Sequence, residues 1–75
     1  MNRNVWKRMP SSALVREAME HFAGLGEVTG AAAGEESYGW YLRVWFDPAH
    51  GPKRTKAEYA GYRVVFDRGY AKAHA

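Results

Sequence analysis

Seventy-five residues make one domain, 1–75, near the lower limit at which a hydrophobic core alone holds a fold. The chain has no cysteine, which excludes a disulfide framework and a thiolate metal site, and its net charge of +3 suits an anionic partner without demanding one. No apolar run approaches the roughly 20 residues that cross a bilayer, and the start Met-Asn-Arg-Asn-Val-Trp-Lys-Arg lacks the apolar stretch of a secretory signal, so the expectation is a cytoplasmic protein with no membrane association.

Residues 1 to 9 are basic at Arg3, Lys7 and Arg8 and apolar at Val5, Trp6 and Met9, without a clean period. They read as a short edge strand over 2–8 or as a docked arm anchored by Trp6. From Pro10 the pattern turns helical over about 11–23, with Ser11 or Ser12 as the cap and Leu14, Val15, Ala18, Met19, Phe22 and Leu25 as one apolar stripe. Arg16, Glu17, Glu20 and His21 take the remaining surface. Gly24 and Leu25 suit the last two positions of a Schellman end.

Residues 27–33, rich in Ala and Gly, predict a weak strand whose small side chains leave room for bulky neighbours, and Gly34-Glu35-Glu36-Ser37 predicts a turn. The strong strand follows over 38–47, with five aromatic rings in ten positions. Period-2 alternation puts Tyr38, Trp40, Leu42, Val44 and Phe46 on a core face and Gly39, Tyr41, Arg43, Trp45 and Asp47 on the other. Pro48 ends it, and a polar loop over 49–58, longer than a hairpin needs, leads to a last strand over 59–68. The tail from Arg68 adds at most a few strand residues through Tyr70.

The last strand echoes the central one: Leu42-Arg43-Val44-Trp45-Phe46-Asp47 is matched twenty residues on by Tyr62-Arg63-Val64-Val65-Phe66-Asp67. An antiparallel register with Trp45 opposite Val65 predicts Arg43 facing Asp67 and Asp47 facing Arg63 on the outer side, and Val44 with Phe66 and Phe46 with Val64 on the inner side. Each exposed charge pair contributes at most about 1 kcal/mol, so the pairs act as register pins. The expected fold is α+β in two layers: one helix on a three-stranded antiparallel sheet, with 2–8 available as a further strand.

Charge is segregated along the chain. Residues 10 to 36 hold one arginine against Glu17, Glu20, Glu27, Glu35 and Glu36, a local −4, which leaves +7 for the rest. The molecule is therefore expected to be dipolar, with an acidic side made by the helix and first hairpin and a basic side made by the N-terminus, the long loop and the last strand.

Three histidines, His21, His50 and His74, show no ligand spacing, so neither a metal nor another cofactor is expected. His50, near Asp47 and the cations Lys53, Arg54 and Lys56, is the one candidate general acid or base, in a loop where no second residue is evidently placed to orient it. A ribonuclease-like toxin is accordingly the third reading, behind two non-enzymatic ones. Residues 51–56 lack the glycine spacing of a phosphate loop, though Lys53, Arg54, Lys56 and Arg68 suit phosphate contacts.

The outer sheet face is the better candidate site. Tyr41, Arg43, Trp45, Tyr59, Arg63 and Val65 are expected there, and one helix covers only one side of a sheet. The arm with Val5 and Trp6, a protein partner including a second copy of the chain, or stacked nucleic-acid bases would cover them. The leading expectation is a protein-binding face at Tyr41, Arg43, Trp45, Tyr59 and Arg63. A nucleic-acid binder using the basic loop and aromatic face is the alternative.

A very short, cysteine-free, Ala- and Gly-rich chain with one helix and a small antiparallel sheet resembles many phage-encoded accessory proteins, and is similar in kind to the small anti-CRISPR inhibitors. The resemblance is one of size and architecture over the whole chain, with no motif at named positions. It implies a non-enzymatic inhibitor that blocks a protein or ribonucleoprotein complex by occupying a surface. The chain departs from the strongly acidic, DNA-mimicking members of that group, since only the side with Glu17, Glu20, Glu27, Glu35 and Glu36 is acidic.

Overall fold

A computed structural model of the chain describes residues 8–37, 39–53 and 56–69. Helix α1 spans Ser12–Phe22 and carries the expected apolar stripe from Leu14 to Phe22, whereas Leu25 falls in the turn beyond it and is exposed. Ser11 caps it by accepting a hydrogen bond from the Leu14 N–H at 3.1 Å, satisfying one of the amides that a helix start leaves unpaired. The helix does not end in a Schellman motif. It tightens into a 3-10 turn at Ala23–Leu25, and Gly24 is not among the residues with positive φ.

Four strands follow: β1 (Val28–Glu36), β2 (Gly39–Phe46), β3 (Lys56–Tyr59) and β4 (Tyr62–Arg68). The sheet order is β1-β2-β4-β3, with β1–β2 and β3–β4 antiparallel but the central pair β2–β4 parallel. The fold is therefore α+β with a mixed four-stranded sheet, a correction to the three antiparallel strands expected. The stretch read as one strand over 59–68 contains a two-residue turn at Ala60–Gly61, whose φ values of 53° and 84° are the mark of a type I′ hairpin. That hairpin sends β3 to the outside and slots β4 between β3 and β2. The expected strand over 2–8 and the tail from Tyr70 lie outside the described residues, apart from Arg8, whose carbonyl accepts a hydrogen bond from the Tyr62 hydroxyl at 3.0 Å.

This topology explains the length of the loop after β2. The chain must step across the end of β4, two strand spacings or about 10 Å, before it can start β3. The loop is built onto that end: Arg68 donates to the carbonyls of Pro48 and Pro52 at 3.0 and 3.3 Å, and the Gly69 N–H donates to the Phe46 carbonyl at 2.8 Å. From the other side the Glu27 N–H donates to the His50 carbonyl at 2.9 Å, and the Asp47 N–H to the Glu27 carbonyl at 2.8 Å. Thr29, at a bulge in β1, donates to the Gly69 carbonyl at 2.6 Å.

The predicted core face of β2 is the observed one at Leu42, Val44 and Phe46, with Trp40 partly buried against them, while Tyr38 lies outside the described residues. Leu42, Val44, Phe46, Tyr62, Val64 and Phe66 are buried with Ala18 and Phe22 of the helix. The rings interlock edge to face, Phe22 on Phe66 at 5.1 Å and Phe66 on Phe46 at 5.2 Å. In the parallel register Val44 still neighbours Phe66, whereas Leu42, not Phe46, neighbours Val64. Trp45 lies between Gly30 and Asp67, and Val65 is the neighbour of Arg43. The expected turn at 34–37 is shorter than read, because β1 runs to Glu36 and pairs there with Gly39.

Candidate protein-binding surface

Alternation and register define the side of the sheet facing away from α1. It carries Gly30, Ala32, Gly34 and Glu36 from β1, Tyr41, Arg43 and Trp45 from β2, Arg63, Val65 and Asp67 from β4, and Lys56 and Glu58 from β3. The large side chains form a ladder of alternating cation and ring. The Arg63 guanidinium lies 5.5 Å from the Tyr41 ring centre, Arg43 lies 5.6 Å from the same ring, and Arg43 also lies 5.9 Å from the Trp45 ring. Each such contact contributes about 0.5–1 kcal/mol at exposed sites and more as water is removed.

Carboxylates anchor both arginines. Arg43 donates to Asp67 Oδ2 at 3.0 Å and to the Tyr41 hydroxyl at 3.0 Å, and Arg63 approaches Glu36 Oε1 at 3.7 Å. The Arg43–Asp67 pair expected from an antiparallel register thus exists in a parallel one, as a diagonal contact two residues off the direct neighbour. The expected Asp47–Arg63 pair does not form. Parallel pairing sends Asp47 to the opposite end of the sheet from Arg63, and Arg63 instead reaches past the bare Gly39 position to Glu36. Nε of Arg43 is buried without a hydrogen-bond partner among the described residues, which leaves the ring contacts and the terminal nitrogens to hold that guanidinium.

Tyr41, read from sequence as an open ring, is only 8% exposed. Its ring lies over Gly34, where a Cβ would come within 2.5 Å of it, and between two guanidiniums. Tyr59 is a correction. It packs against Phe22 at 5.9 Å and His21 at 4.8 Å, on the helix side, and does not belong to the outer face. The reason is the hairpin turn, which inserts two residues and makes Tyr59 the neighbour of buried Tyr62. In its place the outer face gains Lys56 and Glu58, which sequence reading assigned to the loop.

The acidic residues are split. Glu17 and Glu20 are exposed on α1, on the helix side, while Glu36 is drawn into the outer ladder; Glu27 and Glu35 are exposed near opposite ends of β1. The described cations proposed for phosphate sit on different elements. Arg68 is engaged by loop carbonyls, Lys53 is exposed in the loop, Lys56 stands on β3, and Arg54 lies outside the described residues. Among the described residues of the outer face, three cations (Arg43, Arg63, Lys56) meet three carboxylates (Glu36, Glu58, Asp67), a balanced set that gives a polyanion no excess of positive charge.

His50 does have an acidic neighbour. Asp47 Oδ1 lies 3.4 Å from His50 Nδ1 while accepting a hydrogen bond from the Ala49 N–H, and the imidazole side chain is 67% exposed. One solvated imidazole beside one carboxylate makes a local turn; of the cations offered with it by sequence, Lys53 is exposed in the loop, Lys56 stands on β3 and Arg54 lies outside the described residues. Among the described residues no three of His, Asp and Glu come together as a metal site, and no helix is long and apolar enough to cross a membrane.

Comparison with protein-family models, with curated proteins and with solved structures finds no match to this chain. Its class is thus set by fold and surface alone: a one-helix, mixed-sheet domain with a cation–π ladder on the sheet's outer face.

Proposed function

We propose that this protein is a non-enzymatic binding protein that blocks a protein or ribonucleoprotein complex by occupying a surface, with a phage antidefence inhibitor of the anti-CRISPR kind as its most concrete version. The observation that carries this reading is the ladder Arg63–Tyr41–Arg43–Trp45. It lies on the face opposite the helix, and no helix or strand among the described residues lies over it. Trp, Tyr and Arg dominate binding hot spots because they bring large area at low entropy cost, and here ring contacts and ion pairs already hold them in place. The balanced charge of the face favours a protein surface over a nucleic-acid backbone.

A tagged protein should capture one macromolecular complex from host extract, and Trp45→Ala should lose that capture while the circular dichroism spectrum and melting temperature stay near wild type. Capture that persists in Trp45→Ala counts against this face. Binding of nucleic-acid probes that falls steeply between low and moderate salt, and with Lys53→Ala and Lys56→Ala, would move the nucleic-acid reading to first. A dimer that Trp45→Ala dissociates would make a second copy the occupant.

A further inference from the structure

The two edges of the sheet are unequal. β3 is four residues long and carries Lys56 and Glu58, a short charged edge of the kind that resists further pairing. β1 is nine residues long, has no proline, and carries no charged side chain from Val28 to Gly34. Its bulge at Thr29 disturbs only the start, and from Gly30 to Glu36 its pairing with β2 is regular. Alternate N–H and C=O groups of β1 therefore point away from β2, and among the described residues no strand lies beside them.

We propose that the free edge of β1 is a strand-addition site that takes an extended, basic segment of a partner protein. The backbone groups supply the hydrogen bonds, and the side chains around them select the occupant. Exposed Glu27 and Glu35 flank the uncharged stretch, whereas Glu36 is engaged by Arg63, so Lys or Arg at the ends of an incoming strand is favoured. Gly30 and Ala32 sit low beside Trp45 and Arg43, leaving room for that strand's larger side chains against the ridge of β2. Antiparallel pairing of two β1 edges would set Glu27 of each copy near Glu35 and Glu36 of the other, which disfavours a second copy. The hydrogen-bonding groups belong to the backbone edge of β1, while the ladder residues Trp45 and Arg43 border it through Gly30 and Ala32.

The test uses the full 15N-labelled chain and two blocked nonapeptides, Lys-Lys-Thr-Val-Thr-Val-Thr-Val-Thr and the same sequence with Glu for both Lys. In the free monomer alternate amides over 28–36 should exchange quickly with solvent. The Lys peptide should slow them and shift them selectively, the Glu peptide should bind about tenfold more weakly, and Glu35→Lys should reverse that preference. Edge amides already protected in the free monomer would overturn the proposal in favour of the chain's own residues 1–7. Protection that rises with protein concentration would overturn it in favour of a second copy. Equal binding of both peptides, or of neither, would overturn it outright.

Discussion

At Gly34 a single added carbon would meet the Tyr41 ring at 2.5 Å, and that ring is clamped between Arg43 and Arg63. Tyr41 could swing clear only by leaving its cation contacts. Gly34→Ala is therefore expected to destabilise the fold by about 1–2 kcal/mol in urea denaturation, and the loss should shrink in a Tyr41→Ala background, where the clash is gone. At Ala60 the sign is opposite. An alanine at φ 53° is held in a left-handed conformation disfavoured by about 1 kcal/mol, so Ala60→Asn, which creates the Asn-Gly pair favoured in this turn, should raise stability by roughly 0.5–1 kcal/mol. For Arg43 and Asp67, with side chains 36% and 44% exposed, a double-mutant cycle should return a coupling of no more than about 1 kcal/mol that fades at high salt.

Among the elements, the loop after β2 shows how a polar, glycine- and proline-broken segment becomes part of the scaffold. Gly26 has an extended backbone that any residue can adopt, but a Cβ there would lie 2.1 Å from the His50 carbonyl, which is fixed by its hydrogen bond to Glu27. Backbone cannot give way as a side chain can. Gly26→Ala is expected to cost about 2–3 kcal/mol and to raise amide exchange at Glu27 and Asp47. The two hydrogen bonds from Arg68 to Pro48 and Pro52 act at the same place, which makes Arg68 a brace for the loop that carries His50. Sequence reading offered Arg68 for phosphate contacts; its hydrogen bonds to two carbonyls sixteen and twenty residues away lie beyond any local pattern.

For the whole molecule, a chain of 75 residues commands roughly 4–11 kcal/mol of stability in total. Phe46 is fully buried and stacks edge to face on Phe66, so Phe46→Ala, at about 3–5 kcal/mol, should leave much of the population unfolded at 37 °C by near-ultraviolet circular dichroism. A surface change such as Glu17→Ala should leave the melting curve almost unmoved.

The helix, its cap at Ser11 and the buried set Leu42, Val44, Phe46, Val64 and Phe66 were legible because a period of 3.6 or 2 is a local property of the chain. The direction of β4 was not legible. Reversing a strand while keeping its face parity leaves every residue on the same side, so the echo between residues 42–47 and 62–67 fits parallel and antiparallel pairing alike. The hairpin that decided between them turns on Ala60, a residue with no turn preference of its own, and with it went the placement of Tyr59. The candidate face was legible at Arg43, Trp45 and Arg63. The burial of Tyr41 on Gly34, the capture of Arg63 by Glu36 and the place of β1 at the edge of the described sheet depend on strand order and register. By itself, then, the sequence determined which side chains of α1, β2 and β4 point inward and which outward, because that follows from backbone geometry between near neighbours. Only the tertiary structure decided what each outward side chain touches, because those contacts join residues far apart in the chain through strand pairing that no local period encodes.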